Sequence, residues 1–129
     1  MAYPTKYRYT REHEWIEAEG KNATVGITEH AQDSLGDIVF VELPKVGEKV
    51  EKGKVFGSVE SVKAVSDLYA PATGTVTAVN EELTKAPEKI NENAHAAWIM
   101  KIELENAAEV ESLLTAADYE AFVKEETGN

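Results

Sequence analysis

The chain has 129 residues, of which 43% are hydrophobic and none is cysteine. This length suits one compact domain with a modest core. The lack of cysteine excludes disulfides, thiolate metal sites and a cysteine nucleophile. The chain has 24 acidic and 13 basic residues, for a formal net charge of −11. Such a charge opposes binding to nucleic acid or an anionic membrane and favours partners with basic docking patches, although an acidic surface also serves solubility alone.

From the residues at the start of the chain we expect no targeting segment. Residues 1–8 have neither the apolar stretch of a signal peptide nor the Arg/Ser-rich composition of a transit peptide. Nowhere does an apolar run approach the roughly 20 residues of a membrane-spanning helix. We therefore expect a cytoplasmic protein; a mitochondrial location would require that a transit peptide had been removed from a longer precursor.

Strand patterns dominate the first four-fifths of the chain. Short β-rich pieces are separated by glycine, proline and asparagine turns, and the strongest of them, residues 38–43, ends at Pro44. Within this part, Thr28 is placed to cap a short helix that runs to Leu35 and ends at Gly36. Many short strands with regular turns predict a mainly β sandwich or flattened barrel, in one domain over residues 1–129.

Lys63 lies in an unusual setting. Residues 57–67 read GSVESVKAVSD and surround Lys63 with short apolar residues, serines and two carboxylates. Valines recur every third residue from Val59, which would also fit a short helix. β-Branched residues and serines favour strand–turn–strand instead, and Pro71 and Gly74 break the chain soon after. We predict a hairpin over about 55–79 with Lys63 held out at its turn.

The neighbours of Lys63 restrict its chemistry. A Schiff-base lysine needs a depressed pKa, from desolvation or a nearby cation. Glu60 and Asp67 favour the protonated form instead. Lys63 is therefore a poor resting nucleophile but a sound attachment point for an activated acyl group. The residues alone leave open that Lys63 is an ordinary solvated lysine on a turn.

The C-terminal part predicts helices over about 107–126. Asn106 with Glu109, and Thr115 with Asp118, resemble helix caps. Each pair precedes an apolar stripe at helical spacing, which predicts core-facing helices, and the tail over 124–129 should fray. Packing roles are expected for His13, Trp15 and Trp98, the last of them in the core. His30 and His95 have no ligand spacing, so no metal site is expected.

Several segments, in order, resemble the H protein family of the glycine cleavage system over essentially the whole chain. The matching residues are Glu12–Trp15, Val25–Gln32, Leu35–Pro44, Val59–Ala64, Ser66–Asp67, Ala70–Pro71, Gly74, Val79–Asn80, Trp98, Glu111–Leu114 and Tyr119. The resemblance implies a lipoyl-domain type of flattened β-barrel with terminal helices. It also implies lipoate joined by an amide to Lys63. Biotin carriers of similar fold typically place methionine on both sides of the lysine, whereas Val62 and Ala64 stand here.

The resemblance also implies a function as a non-catalytic carrier. The lipoyl arm would accept the aminomethyl group of glycine at the pyridoxal-phosphate-dependent glycine decarboxylase. It would pass this group to the tetrahydrofolate-dependent aminomethyltransferase and then be reoxidised by dihydrolipoyl dehydrogenase. A lipoate ligase or a lipoyl/octanoyl transferase would load Lys63, reading Glu60, Ser61, Val62, Ala64 and Asp67.

Further site residues follow from the resemblance. Glu14 and Asp67 match positions of a cleft that would hold the cationic end of the loaded arm, because a carboxylate binds an ammonium group. Glu12 occupies a third cleft position, where a small polar residue would serve as well. Two other functions stay open: a relay that donates lipoyl groups to other enzyme complexes, and an unmodified interaction module. A monomer is expected, since a mobile carrier must leave and re-dock.

Overall fold

The computed structural model describes residues 3–128. Over this range the chain forms nine strands and five helices, and the predicted mainly β architecture is confirmed. Their bounds are β1 Arg8–Tyr9, β2 Glu14–Glu19, β3 Asn22–Ile27, α1 Glu29–Leu35, β4 Ile38–Glu42, β5 Lys49–Val50, β6 Val55–Ser61, β7 Val65–Tyr69, β8 Gly74–Val79, α2 Glu82–Lys85, α3 Lys89–Glu92, β9 Met100–Leu104, α4 Ala108–Glu111 and α5 Ala116–Thr127.

The strands form two antiparallel sheets. One has six strands in the order β1-β2-β3-β9-β8-β5, and the other has three in the order β4-β6-β7. Alternate residues of the strands point to the interior, as in β9, where Met100, Ile102 and Leu104 are buried and the residues between them are exposed. The main core joins both sheets and includes Val25 of β3 and Val59 of β6. Its burial fixes the strand register and so the position of each turn.

A second, mainly aromatic cluster lies under α5. Tyr9 stacks on Tyr119 with ring centroids 4.8 Å apart, and Trp15 stacks on Tyr7 at 4.4 Å. Trp15 is buried and its indole N–H donates to the Ala94 carbonyl, so its predicted packing role is confirmed. Trp98 was expected in the core, but it is only partly buried at the edge of this cluster.

Helix α1 forms as predicted from its ends. The Thr28 hydroxyl accepts a hydrogen bond from the Ala31 amide, and Gly36 ends the helix with a φ of 79°. A positive φ of this kind favours glycine. Helices α2 and α3 were not predicted. Within residues 3–128, no helix is long and apolar enough to cross a membrane.

The predicted C-terminal helical segment is divided into α4 and α5. Thr115 caps α5 by accepting from the Asp118 amide, as expected. The capping arrangement expected of Asn106 and Glu109 is wrong in part, because the Glu109 carboxylate accepts from the Thr73 amide instead. The tail that was expected to fray continues as helix through Thr127, while Asn129 lies outside the described residues.

Candidate functional site: the Lys63 turn

Lys63 lies at the turn between β6 and β7. The Ser61 amide donates to the Ala64 carbonyl at 2.8 Å and closes the turn. The buried Ser61 hydroxyl oxygen accepts from the amides of Ala64 and Lys63 at 3.1 and 3.3 Å. The predicted strand–turn–strand is therefore confirmed, and the helical alternative is wrong. Serine suits this position because its hydroxyl accepts from backbone amides of the turn that have no partner in the hydrogen bonds between β6 and β7.

The turn is also fixed to the body of the protein from one side. The Val62 amide donates to the carbonyl of Asp37, in the connection between α1 and β4, at 3.1 Å. Asn91 of α3 holds that connection: its amide group donates to the Gly36 carbonyl at 2.8 Å, and its oxygen accepts from the Ile38 amide at 2.9 Å. Sequence reasoning missed Asn91, because no local pattern connects it with a segment 53–55 residues away.

The Lys63 side chain is exposed and lies against Gly36. A Cβ atom on Gly36 would be 3.6 Å from Lys63 Cε, so the stem of the lysine passes over bare backbone. Among the described residues, no carboxylate forms an ion pair with Lys63. Glu60 and Asp67, its acidic neighbours in sequence, are both exposed. The amine is therefore accessible to a modifying enzyme.

Exposed apolar side chains surround the turn. Strand pairing places Phe40 of β4, Glu60 of β6 and Val65 of β7 side by side on the outer face of the three-stranded sheet. Phe40 is 50% exposed, Val65 67% and Val62, in the turn, 72%. We call Phe40, Val62 and Val65 the apolar rim. Exposed apolar residues grouped in this way are typical of a contact surface for another protein.

Glu14 is a buried carboxyl group at the junction of the two sheets. It is 1% exposed. One carboxyl oxygen accepts from the Thr10 hydroxyl at 2.5 Å and the other from the Tyr69 amide at 3.1 Å. Burial raises the pKa of Glu14 to about 7, against the lowering effect of these hydrogen bonds. Glu14 therefore changes its charge state near neutral pH, which the sequence alone did not indicate.

The three expected cleft residues are not equally placed. Asp67 is exposed on β7, two residues before Tyr69, whose amide binds Glu14. The carboxyl group of Glu14, from β2, and Asp67, on β7, therefore both lie near the C-terminal end of β7. Glu12 lies instead on a pocket of about 260 Å³ that is also lined by Lys52 and Leu113. Neither Glu14 nor Asp67 lines that pocket, but the charge of Glu12 reaches Glu14 and contributes, besides burial, to the raised pKa of Glu14.

The two-sheet fold and the single lysine displayed on a fixed hairpin turn define a class, that of the lipoyl- and biotin-type carrier domains. Comparison with known proteins gives the family. The model of the family "Glycine cleavage H-protein" matches residues 7–126. The chain therefore belongs to the glycine cleavage H-protein family.

Individual relatives agree with the family match. The chain is 80% identical to a glycine cleavage system H protein of Acidobacterium capsulatum and 66% identical to one of Koribacter versatilis, over the full length of both chains in each case. It is also similar to the crystal structure of a glycine cleavage system H protein from Mycobacterium marinum, with a TM-score of 0.85 and 40% identity. That match covers 98% of this chain and 100% of the other.

Proposed function

We propose that this protein is the lipoyl-bearing carrier of the glycine cleavage system, with lipoate attached by an amide to Lys63, and that it catalyses no reaction alone. The observation that carries the proposal is the exposed Lys63 on a turn whose backbone is fixed by Ser61 and Asp37. A carrier needs this arrangement, because its lysine must be open to a modifying enzyme and held in a constant place.

The residues around Lys63 fit an acyl group on its amine. The stem of Lys63 lies over Gly36, which has no side chain to obstruct it. Among the described residues, no carboxylate forms an ion pair with the Lys63 ammonium group. Attachment would therefore break no ion pair. When bound, a lipoyl group supplies a disulfide that can accept the aminomethyl group of glycine, and the cofactor rather than the protein performs this chemistry.

The residues read by the loading enzyme divide into two roles. Glu60, Val62, Ala64 and Asp67 are exposed and can touch a lipoate ligase or a lipoyl/octanoyl transferase directly. Ser61 is 5% exposed, so it acts by holding the shape of the turn rather than by contact. The apolar rim gives the loading enzyme a surface to bind beside the amine.

We further assign Glu14 and Asp67 to the cationic end of the loaded arm. Asp67 is the accessible carboxylate of the pair, and Glu14 lies behind the end of the same strand. A cation near Glu14 would favour its charged form and lower its raised pKa. Glu12 lines a separate pocket and acts on Glu14 through its charge, so we assign it no direct contact with the arm.

The partners that this proposal implies are the glycine decarboxylase, the aminomethyltransferase and dihydrolipoyl dehydrogenase. The carrier would dock on them in the cytoplasm. A net charge of −11 favours docking sites with basic residues on these enzymes. The attached arm keeps its cargo at high effective concentration beside each docked active site. Bacterial relatives named for the same system support this assignment.

The substitution Lys63→Arg tests the attachment. Arginine keeps the charge but cannot form the lipoyl amide, so the variant should fold normally and gain no mass when incubated with lipoate, ATP and a lipoate ligase. Lys54→Arg is the matched control, since Lys54 is also an exposed lysine beside β6. Intact mass spectrometry should show one lipoyl adduct on the wild type and on the control. A lipoyl adduct on the Lys63→Arg variant would refute the assignment.

A further inference from the structure

Two histidines and a glutamate meet at a place remote in sequence from the Lys63 turn. His13 precedes β2, His30 lies on α1 and Glu126 lies in the last turn of α5. The Glu126 Oε1 atom is 3.0 Å from His13 Nε2 and 3.7 Å from His30 Nε2. One ligand atom from each residue lies within 4.8 Å of the other two. The sequence hid this group because Glu126 is 113 residues from His13.

We propose that His13, His30 and Glu126 form a binding site for one zinc ion, with water completing the coordination shell. Imidazole and carboxylate groups are common zinc ligands, and two histidines with one glutamate form a known three-residue set. Bonds of about 2.0–2.2 Å place tetrahedral ligand atoms about 3.3 Å apart. The Glu126–histidine separations of 3.0 and 3.7 Å lie on either side of this value. The two histidine ligand atoms lie within 4.8 Å of each other, so the rings would have to close by at most about 1.5 Å.

Access to the site is open on one side. The side chains of His13 and His30 are 19% and 18% exposed, whereas that of Glu126 is 45% exposed. An ion can therefore enter past Glu126, and the same side admits the water ligand. The negative charge of Glu126, on a chain with a net charge of −11, attracts divalent cations.

A second layer of hydrogen bonds orients His13. Its Nδ1 atom lies 2.7 Å from the buried Tyr119 hydroxyl, which lies 2.7 Å from the Thr28 hydroxyl. Zinc-binding histidines usually donate their other ring N–H to such a partner, which fixes the tautomer.

The hydroxyl chain works in either direction. In one, Thr28 donates to Tyr119, Tyr119 donates to His13 Nδ1, and the His13 Nε2–H donates to Glu126. In the other, His13 Nδ1–H donates to Tyr119, Tyr119 donates to Thr28, and the Nε2 lone pair is free for a cation. His13 can therefore release Nε2 to zinc without losing its contact with Tyr119.

The backbone of His13 is also unusual. It has a φ of 73°, the one positive φ among the described residues other than glycine. Such a conformation costs on the order of 1–3 kcal/mol and tends to occur at functional sites. The His13 ring lies against that of His30, with ring centroids 4.7 Å apart. A bound ion would tie the last turn of α5 to α1 and to the segment before β2.

Nitrogen NMR of the wild-type chain tests the site directly. The full chain, unmodified at Lys63 and free of cysteine, would be labelled with ¹⁵N and titrated with zinc sulfate at pH 7. The Nε2 signals of His13 and His30 should shift together and saturate at one zinc per chain. The third histidine, His95, is an internal control, because its Nε2 already accepts from the Glu29 amide. No saturable shift, or equal shifts at all three histidines, would overturn the proposal.

Calorimetric titration of variants gives a second test. Glu126→Gln should bind zinc at least tenfold more weakly than the wild type, a loss no smaller than that caused by mutating a second-layer residue. Glu125→Gln, one residue earlier on α5 and also exposed, makes the same charge change and should stay within about twofold of the wild type. Equal affinities for the two variants would overturn the assignment of Glu126 as a ligand.

Discussion

Glu14 and Tyr69 are hydrogen-bonded across the boundary between the two sheets. Glu14 begins β2 in the six-stranded sheet, and its carboxyl oxygen accepts from the amide of Tyr69, the last residue of β7 in the three-stranded sheet, at 3.1 Å. The bond fixes the end of the strand that carries Asp67. It also places a titratable group where burial controls its charge, and this has a measurable effect on stability.

Replacing Glu14 with glutamine should change how stability depends on pH. The pKa of Glu14 is raised from 4.5 to about 7 in the folded protein. The folded state therefore holds a proton that the unfolded state releases, so this group's contribution is complete below about pH 4.5 and is lost as pH rises through 7. The loss is roughly 3 kcal/mol. Urea unfolding at intervals from pH 4.5 to 7.5 should show a smaller decline for Glu14→Gln.

The matched control for this prediction is Glu19→Gln. Glu19 lies on the same strand but is exposed, so its loss should leave the pH dependence of the wild type intact. If Glu14→Gln and the wild type decline in parallel, the raised pKa of Glu14 is wrong.

Ser61→Ala should weaken the turn and slow its modification. The variant loses the hydroxyl oxygen that accepts from the amides of Lys63 and Ala64. We expect a loss of about 1 kcal/mol in the free energy of unfolding and a several-fold slower transfer of lipoate to Lys63. The rate would be followed by intact mass under limiting ligase. Ser58→Ala on the same strand is the control, and equal rates for both variants would contradict a role for Ser61.

Asn91→Ala should act on the same turn from a distance. Asn91 makes hydrogen bonds to Gly36, Ile38 and Gln32, and the first two fix the segment that receives the Val62 amide. Loss of these bonds should cost about 2 kcal/mol of stability and reduce the rate of lipoate attachment. Asn93→Ala, at an exposed asparagine just after α3, should do neither. Unfolding curves and the ligase assay would be measured on the same samples. An unaltered attachment rate would show that Asn91 does not support the turn that presents Lys63.

Asp67→Asn tests the carboxylate proposed to hold the cationic cargo. The isolated protein, loaded with the aminomethyl group, should release ammonia up to about fivefold faster, since an exposed charge pair contributes up to about 1 kcal/mol. Glu42→Gln removes a carboxylate from the same row of the sheet, two strands away. It should leave the release rate unchanged. An equal rate in wild type and Asp67→Asn would remove Asp67 from the proposed cleft.

The features that sequence could predict are those with local causes. Helix α1 follows from Thr28 at its start and Gly36 at its end, since both act on backbone groups within a few residues. The turn at Lys63 follows from Ser61 and its β-branched neighbours. Helices α2 and α3 lack side-chain caps and have four residues each. They are held by the burial of Leu83 and Ile90 in the core, which no local pattern shows.

The features that sequence could not predict depend on distant contacts. The raised pKa of Glu14 results from burial between two sheets. Phe40 joins the apolar rim only because β4 pairs with β6. The approach of Glu126 to His13 requires α5 to pack over the aromatic cluster. The motif resemblance singled out Lys63 in the sequence. The residues that hold its turn, such as Asn91, and those that surround it, such as Phe40, could be found only from the fold.

The fixing of the Lys63 turn has a mechanical consequence. Because Ser61 and Asp37 hold the backbone on both sides of the lysine, the base of the arm is anchored to the folded body rather than to a free loop. Any motion of an attached group then arises in the lysine stem and the group itself, and its reach is a sphere around a stationary pivot. An enzyme that bound the apolar rim would set the distance from that pivot to its own active site, and with it the part of the sphere that the arm has to sample.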